Sequence, residues 1–350
     1  MWAARRMIAG KRGRLTIGAY PAVSLAEARK RATEYLAGQR EGDSAEAVDA
    51  KKRALKLTIT QAHGDYIKTQ TQLRANTLTL KKAMFRDHIE PALGDRLVRT
   101  IRRGDVADAV GRVAAKGLKV QANRVYSEIM VLLRWCEQKG YLEGVPTVKK
   151  KDMRHLGAAK EQPRRRMLSD PEVGEAYRAA GDVGELSGDF LRLVLLCMQR
   201  RDEVRLMRAQ HIDFDAAIWV IPASEYKTGI DHAVPLPDAA MEIIRRRCGN
   251  RREGYVLGGR MDDKPFNGAA SAIRRLRKAM PGRTPFTIHD LRRTGRTGLS
   301  RLGTDNETAE LVIGHLPGGM ERVYNLYERI DERRAALAKW ADLVLALGAA

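Results

Sequence analysis

The sequence predicts a mainly α chain with small β elements, an α+β fold. Three observations carry that expectation. From Leu57 to about Val148 apolar residues recur at helical spacing, with no strand-like run between them. Beyond Met167, two short β-rich runs, AIWVIP and HAVPLP, flank the connection EYKTGID as strands flank a turn. Helical patterns fill most of the remainder, and there is no internal repeat or low-complexity tract.

The first segment, GKRGRLTIGAYPAVSLAEARKRATEYLAGQ, reads as a short strand, a turn and a helix. Ser24 and Glu27 have capping-box spacing, in which each side chain satisfies an orphan amide at the helix start. Arg5, Arg6, Lys11, Arg12 and Arg14 precede that helix with no acidic residue among them. Residues 41–54 turn polar and alanine-rich, as a linker does. In NRVYSEIMVLLRWCEQKG, Val125, Ile129, Leu132, Leu133 and Cys136 share one helix face, and Gly140 ends the helix. The exposed face of this helical segment is expected to carry Lys81, Lys82, Arg86, Arg102 and Arg103.

KKKDMRHLGAAKEQPRRR, Lys149 to Arg166, follows. Its Lys149, Lys150, Lys151, Arg164 and Arg165 suit a linker lying along a phosphate backbone, and equally a solvated charge run. Ser169-Asp-Pro-Glu172 then opens a helix with a second capping box, and a long apolar helix leads to Cys197. The tail DERRAALAKWADLVLAL puts Leu337, Trp340, Leu343, Val344 and Leu347 on one face. That face either packs on its own domain or docks on a neighbouring copy.

Charge narrows the partner. A formal net charge of +21 over 350 residues, in clusters, points to nucleic acid ahead of a membrane surface or a merely solubilising shell. Cys136, Cys197 and Cys248 are far apart and form no C-x-x-C, which argues against a disulfide framework and a cysteine-rich zinc site. The start, MWAARRMIAG, lacks the apolar core of a signal peptide. The most apolar run, FLRLVLLCM, is too short to span a bilayer and contains Arg192. A soluble, cytoplasmic protein is expected.

Four stretches hold side chains suited to phosphate chemistry. In TIHDLRRTGRT, His289 and Arg292 lie three apart on a helix and can present donors to one ligand. Arginine clamps phosphate well, because its planar fork donates parallel hydrogen bonds and keeps its charge. Alone, H-x-x-R is more often a structural histidine beside a surface arginine. In LLCMQRRDEVRLM, Glu203 lies one turn beyond Arg200 and can hold its rotamer. Lys227, near the hairpin tip, is ordinarily just solvated, but can reach a groove and protonate a leaving oxygen. In ELVIGHLPGGMERVYNLYERI, His315 is followed nine residues on by Tyr324, a core tyrosine or a nucleophile flanked by cations.

Taken in order, Arg, Lys, His-x-x-Arg, His and Tyr make the sequence resemble the tyrosine recombinase family, phage and genomic-island integrases in particular. The resemblance covers nearly the whole chain. LLCMQRRDEV resembles the first arginine box, YKTGIDHAVPL the lysine hairpin, and IHDLRRT and IGHLPGGMERVYN the later boxes. RLTIGAYPAVSLAEAR is similar to the arm-site DNA-binding module of such integrases.

The resemblance implies a partial arm-type domain at 1–50, a helical core-binding domain at 55–148, a basic linker at 149–166 and a mixed catalytic domain at 167–350 with a C-terminal helix. The domains would form a clamp around double-stranded DNA attachment sites. It implies Tyr324 as nucleophile forming a 3′-phosphotyrosyl bond, with Arg200 and Arg292 on the non-bridging oxygens. Lys227 would protonate the 5′ oxygen, His289 would assist proton transfer at the nucleophile, and His315 would add a hydrogen bond. Glu203 would support Arg200, Arg293 would join the DNA-binding cations, and no metal or cofactor would be needed. A homotetramer on DNA, a monomer or weak oligomer when free, and an accessory DNA-bending protein complete the expected partners.

Two positions depart from the pattern. Met198 and Asp202 stand where the family usually has glycine, and Asp202 is expected to place a carboxylate near Arg200 in competition with phosphate. Similar proteins have further strands ahead of GKRGRLTIG, so the first domain is expected to be incomplete. Tyr327 is a rival nucleophile one turn after Tyr324, which its distance from His315 favours. Other functions compete: a regulator that has lost catalysis, a type IB topoisomerase, or a metal-dependent nuclease. The last would want a carboxylate cluster, whereas Asp290 and Asp305 belong to no evident set.

Overall fold

The computed structural model describes residues 1–8, 11–37, 55–149, 152, 155–159, 165–226, 228–258, 264–315 and 329–350, the side chains of 5–8, 11–13, 15 and 34–37 excepted. Lys150, Lys151, Arg164, Lys227, Tyr324 and Tyr327 lie outside the described residues, as does the segment read as a linker at 41–54. The chain divides into two compact units, Met1–Pro163 and Arg164–Ala350.

The first unit begins with an antiparallel hairpin, β1 (Trp2–Ile8) and β2 (Lys11–Gly18), followed by α1 (Leu25–Ala37). Strand β1 corrects the sequence reading, which placed a single strand ahead of the helix. MWAARRMI carries no alternating pattern, and it becomes a strand through its pairing with β2. The Trp2 indole donates to the Val23 carbonyl at 2.8 Å, tying the hairpin to the turn before α1.

Helices α2 (Ile59–Thr69), α3 (Ala75–Met84), α4 (Glu90–Leu93), α5 (Arg103–Ala115) and α6 (Lys119–Gln138) follow, with a π-helical turn at Phe85–Ile89 between α3 and α4. Thr58 and Gln61 exchange hydrogen bonds at the start of α2, a capping box. The predicted face of α6 is buried against Ile59, Phe85, Val106 and Val110. One expected surface cation is only partly exposed and is already paired. Lys81 is 18% exposed and paired with Glu128 at 2.6 Å, forty-seven residues away in sequence. Lys82, Arg86, Arg102 and Arg103 are exposed. Arg86 is paired with the neighbouring Asp87.

The second unit holds α7 (Asp170–Ala179), α8 (Glu185–Cys197), α9 (Arg201–Arg205), β3 (Ile212–Asp213), β4 (Ile218–Ile221), β5 (His232–Pro235), α10 (Asp238–Cys248), α11 (Ala269–Ala279), α12 (Ile288–Arg301), α13 (Asn306–Val312) and α14 (Ile330–Ala349). Apolar α8 is the hub, packing against α10, α11, α12 and α14. With Phe190, Leu193 and Leu196 fully enclosed, it buries apolar area on most of its circumference. The sheet is antiparallel in the order β3-β4-β5, with β4 and β5 the predicted hairpin strands.

The tail helix packs on its own unit. Leu337, Trp340 and Val344 enter the core beside α8, Leu343 and Leu347 pack against its edge, and the Trp340 indole donates to the Leu195 carbonyl. Gly298 makes room for that ring, because a Cβ there would lie 2.3 Å from it. All three cysteines are buried free thiols, and no helix among the described residues is long and apolar enough to cross a membrane.

Candidate active site

Two helix ends and a helix start meet in the second unit. Helix α8 ends at Met198, which adopts a left-handed conformation with φ of 55°. That turn redirects the chain so that Gln199 faces inward and Arg200 caps α9. Helix α13 ends at Ile313. Helix α12 starts at Thr287, whose side chain accepts from the Asp290 amide while Asp290 accepts from the Thr287 amide. Asp290 thus has a capping role, and Asp305 is itself the N-cap of α13, accepting from the Thr308 amide.

Gln199 locks the two helix ends together. It is fully buried, and its amide nitrogen donates to the carbonyls of Cys197 and Val312, each at 2.8 Å. With both amide hydrogens used, its oxygen faces His232 Nε2 at 3.3 Å, so that nitrogen carries the ring proton. Burial, with Arg333 and Arg292 nearby, lowers the His232 pKa to about 3, so the ring is neutral. It stacks on Tyr226, centroid to centroid 4.9 Å.

Arg292, 3% exposed, reaches the same junction from α12. Its Nη1 donates to the Met198 carbonyl at 2.8 Å, and its Nη2 to the Ile313 carbonyl. Each bond ends on a helix C-terminus, where the carbonyl dipoles favour a cation. Burial and the neighbouring Arg200 nevertheless lower its pKa to about 10, which leaves it charged at neutral pH. Three of its five N–H groups have no partner among these bonds.

Arg200 is held differently. Its Nη1 donates to Glu203 Oε1 at 2.8 Å and to the Tyr226 hydroxyl at 3.0 Å, using both hydrogens of that nitrogen. No bond of Nη2 or Nε accompanies these among the described residues. Burial acts to lower the Arg200 pKa, but the bonds to Glu203 and Tyr226 outweigh it and raise the value above the ordinary one. Asp202 lines the same cleft as Arg200, as expected, but its carboxylate pairs with Arg201 and Arg205 and not with Arg200.

His289 joins Arg200 in a cleft with Arg201, Ile273, Arg277 and Ile288. Burial, with Arg293 and Arg292 beside it, lowers the His289 pKa below the usual 6.5. His315 follows the α13 end and is half exposed, with Nδ1 2.6 Å from Glu310 Oε2, an oxygen pair that also receives Arg296. Arg293 is partly buried and paired with Asp290. Arg200, His289 and Arg292 are therefore brought together, and His315 lies two residues from the carbonyl that Arg292 holds. Sequence reasoning missed Tyr226 and His232 and gave Gln199 no role. Among the described residues no cluster of histidine, cysteine or carboxylate side chains is grouped to hold a metal ion.

Comparison with known proteins decides the kinship. The phage integrase family pattern matches residues 178–329, and that of the Arm DNA-binding domain matches residues 1–54. The chain belongs to the tyrosine recombinase family. It is a site-specific recombinase of the phage integrase kind. Prophage integrase IntA of Escherichia coli (strain K12) is 26% identical over 97% of this chain and 84% of that protein. The integrase of Shigella phage Sf6 is 25% identical over 98% and 89%. In fold, the recombinase is similar to a lambda integrase tetramer bound to a Holliday junction, with a TM-score of 0.58, 17% identity, and coverage of 91% and 94%. It is likewise similar to the Tn1549 transposon integrase in complex with circular intermediate DNA, with a TM-score of 0.60, 15% identity, and coverage of 80% and 98%.

Proposed function

We propose that this recombinase cuts and rejoins duplex DNA at attachment sites, integrating or excising a mobile element, with Tyr324 as nucleophile. The single observation that supports this most is the placement of Arg200 and Arg292 around one junction, each with donors left over after its bonds to the described residues. A phosphodiester carries one negative charge and gains more as the transition state forms, so two rigid cations lower the barrier.

The step balances without a cofactor. The Tyr324 oxygen forms a bond to phosphorus as the bond to the 5′ oxygen breaks. The phenol proton passes toward His289, whose lowered pKa leaves it neutral and able to accept. Lys227 supplies a proton to the departing 5′ oxygen, and His315 donates a hydrogen bond to the phosphate. Because one phosphoester replaces another, a 5′ hydroxyl from a second duplex can reverse the attack and complete exchange.

In this reading residues 1–50 contact arm sites, 55–148 form the core-binding domain, 149–166 run along the backbone and 167–350 carry the chemistry. The match of residues 1–54 to the Arm DNA-binding domain supports the first assignment. Lys82, Arg102, Arg103, Lys149 and Arg165, all exposed, join Arg86 and the unplaced Lys150, Lys151 and Arg164 in neutralising phosphates. The protein works in the cytoplasm, on the nucleoid, as a homotetramer with an accessory DNA-bending protein. The lambda integrase tetramer on a Holliday junction supports that assembly.

The test is adduct formation on a nicked duplex whose sequence comes from both junctions of the element carrying the gene. In buffer with EDTA the wild type gives an SDS-resistant protein–DNA adduct, and Tyr324→Phe binds the duplex without forming one. An adduct from Tyr324→Phe moves the nucleophile to Tyr327. No adduct from the wild type leaves a DNA-binding regulator.

A further inference from the structure

The arginine of the first box is oriented by a tyrosine that none of its own helix supplies. Tyr226 lies on the β4–β5 connection, one residue before Lys227, and is 1% exposed. Its hydroxyl accepts from Arg200 Nη1 at 3.0 Å and donates to the Gly314 carbonyl at 2.9 Å. Arg200 lies 5.3 Å from its ring centroid, and His232 stacks on that ring. One phenol therefore touches the Arg200 element, the lysine hairpin and the residue before His315.

The contact with Gly314 explains a glycine. Gly314 has φ of 64°, and a Cβ there would stand 1.7 Å from the Tyr226 oxygen and 3.0 Å from His232 Nε2. Only a residue without Cβ leaves room for the phenol to reach that carbonyl. A core tyrosine packed for its ring alone needs no such seat.

Glu203 and Tyr226 use both hydrogens of Nη1, and two bonds on one nitrogen fix the roll of the planar guanidinium as well as its position. With Glu203 alone the plane can rotate about that bond. We propose that Tyr226 is a positioning residue for DNA cleavage, tying Arg200 to the Gly314 carbonyl so that Nη2 and Nε meet the scissile phosphate as a preset fork. This rests on Arg200 binding that phosphate.

Tyr226→Phe keeps the ring and its stacking and removes only the hydroxyl, so it isolates the bridge. On the nicked duplex, the first-order rate constant for adduct formation falls by about tenfold or more. The Kd for DNA and the final adduct amplitude stay at wild-type values, while the thermal midpoint falls because the Gly314 carbonyl loses its buried donor. A merely structural role would lower the amplitude along with the midpoint and leave the rate constant alone. In an Arg200→Lys background, where there is no fork to orient, Tyr226→Phe adds little to the loss already present. An unchanged rate constant in Tyr226→Phe, or the same fold loss in both backgrounds, overturns the inference while the Tyr324 assignment stands. A wild type that forms no adduct overturns both.

Discussion

At the scale of single residues, the site is built from groups whose alternatives are costly. Gln199 is enclosed with all its polar atoms paired, so a change to leucine strands two helix-end carbonyls, each worth roughly 1–3 kcal/mol when buried without a partner. Met198 shows two opposing effects. Its left-handed backbone costs about 1 kcal/mol, which glycine would relieve. Its buried side chain packs against Gly295, and truncating such a chain costs about 2–5 kcal/mol. The second effect is larger, so Met198→Gly is expected to lower stability by a few kcal/mol in chemical denaturation, although glycine is the usual family residue there. His289 gives a pH prediction. Its proton is released below the ordinary 6.5 because burial and two arginines oppose the charge. In the free protein its imidazole signals should titrate with a midpoint below that value. A midpoint above 6.5 would mean that the imidazolium has found an anion.

At the scale of elements, the legible features are those that repeat locally. The face of α6, the Ser169 capping box and the two strands of the hairpin follow from spacing within a few residues. The order of the boxes was legible for another reason: arginine, lysine and histidine at helix and hairpin ends are unusual enough to stand out together. Illegible were partnerships set by distant contacts. Lys81 looks like any surface lysine until Glu128 is packed beside it, and β1 is a strand only because β2 runs alongside. Tyr226 and His232 sit on a connection and a short strand, where neither has a periodic signal. Helix α2 supplies an element-scale prediction. His63 is buried, stacked on Phe85 at 3.7 Å, and its Nε2 has no partner among the described residues. Burial, aided by Lys81 and Lys82, lowers its pKa to about 4 against an ordinary 6.5. The unfolded chain therefore binds a proton first as pH falls. The stability contributed by this group is complete above pH 6.5 and is lost as pH falls through about 4, by on the order of 1–3 kcal/mol. Chemical denaturation of wild type and His63→Phe at both ends of that window should show the loss only in the wild type.

At the scale of the whole molecule, the excess of 21 positive charges is spread over two units that each have their own core. Some of these cations are engaged within the fold, as buried Arg292 and the partly buried, ion-paired Arg293 and Lys81 are, and the exposed, unengaged ones exchange counterions with DNA most readily. Affinity for the duplex should fall steeply with salt, and Lys82→Ala or Arg103→Ala should each reduce the slope of log K against log salt by about 1. Lys81→Ala should instead lower stability, because it leaves Glu128 partly buried without its cation. A salt slope reduced as much by Lys81→Ala as by Lys82→Ala would contradict this sorting.

Cleavage as proposed requires convergence of Arg200, Arg292 and Tyr324 at one phosphorus atom. The most direct measurement is a crystal structure of the protein on a gapped duplex with vanadate in place of the scissile phosphate. The expected result is a trigonal-bipyramidal vanadate with the Tyr324 oxygen at one apex, Arg200 Nη2 or Nε and an Arg292 N–H on its equatorial oxygens, and Tyr226 still bridging Arg200 to Gly314. Vanadate bound away from both arginines, or capped by no tyrosine oxygen, would contradict it.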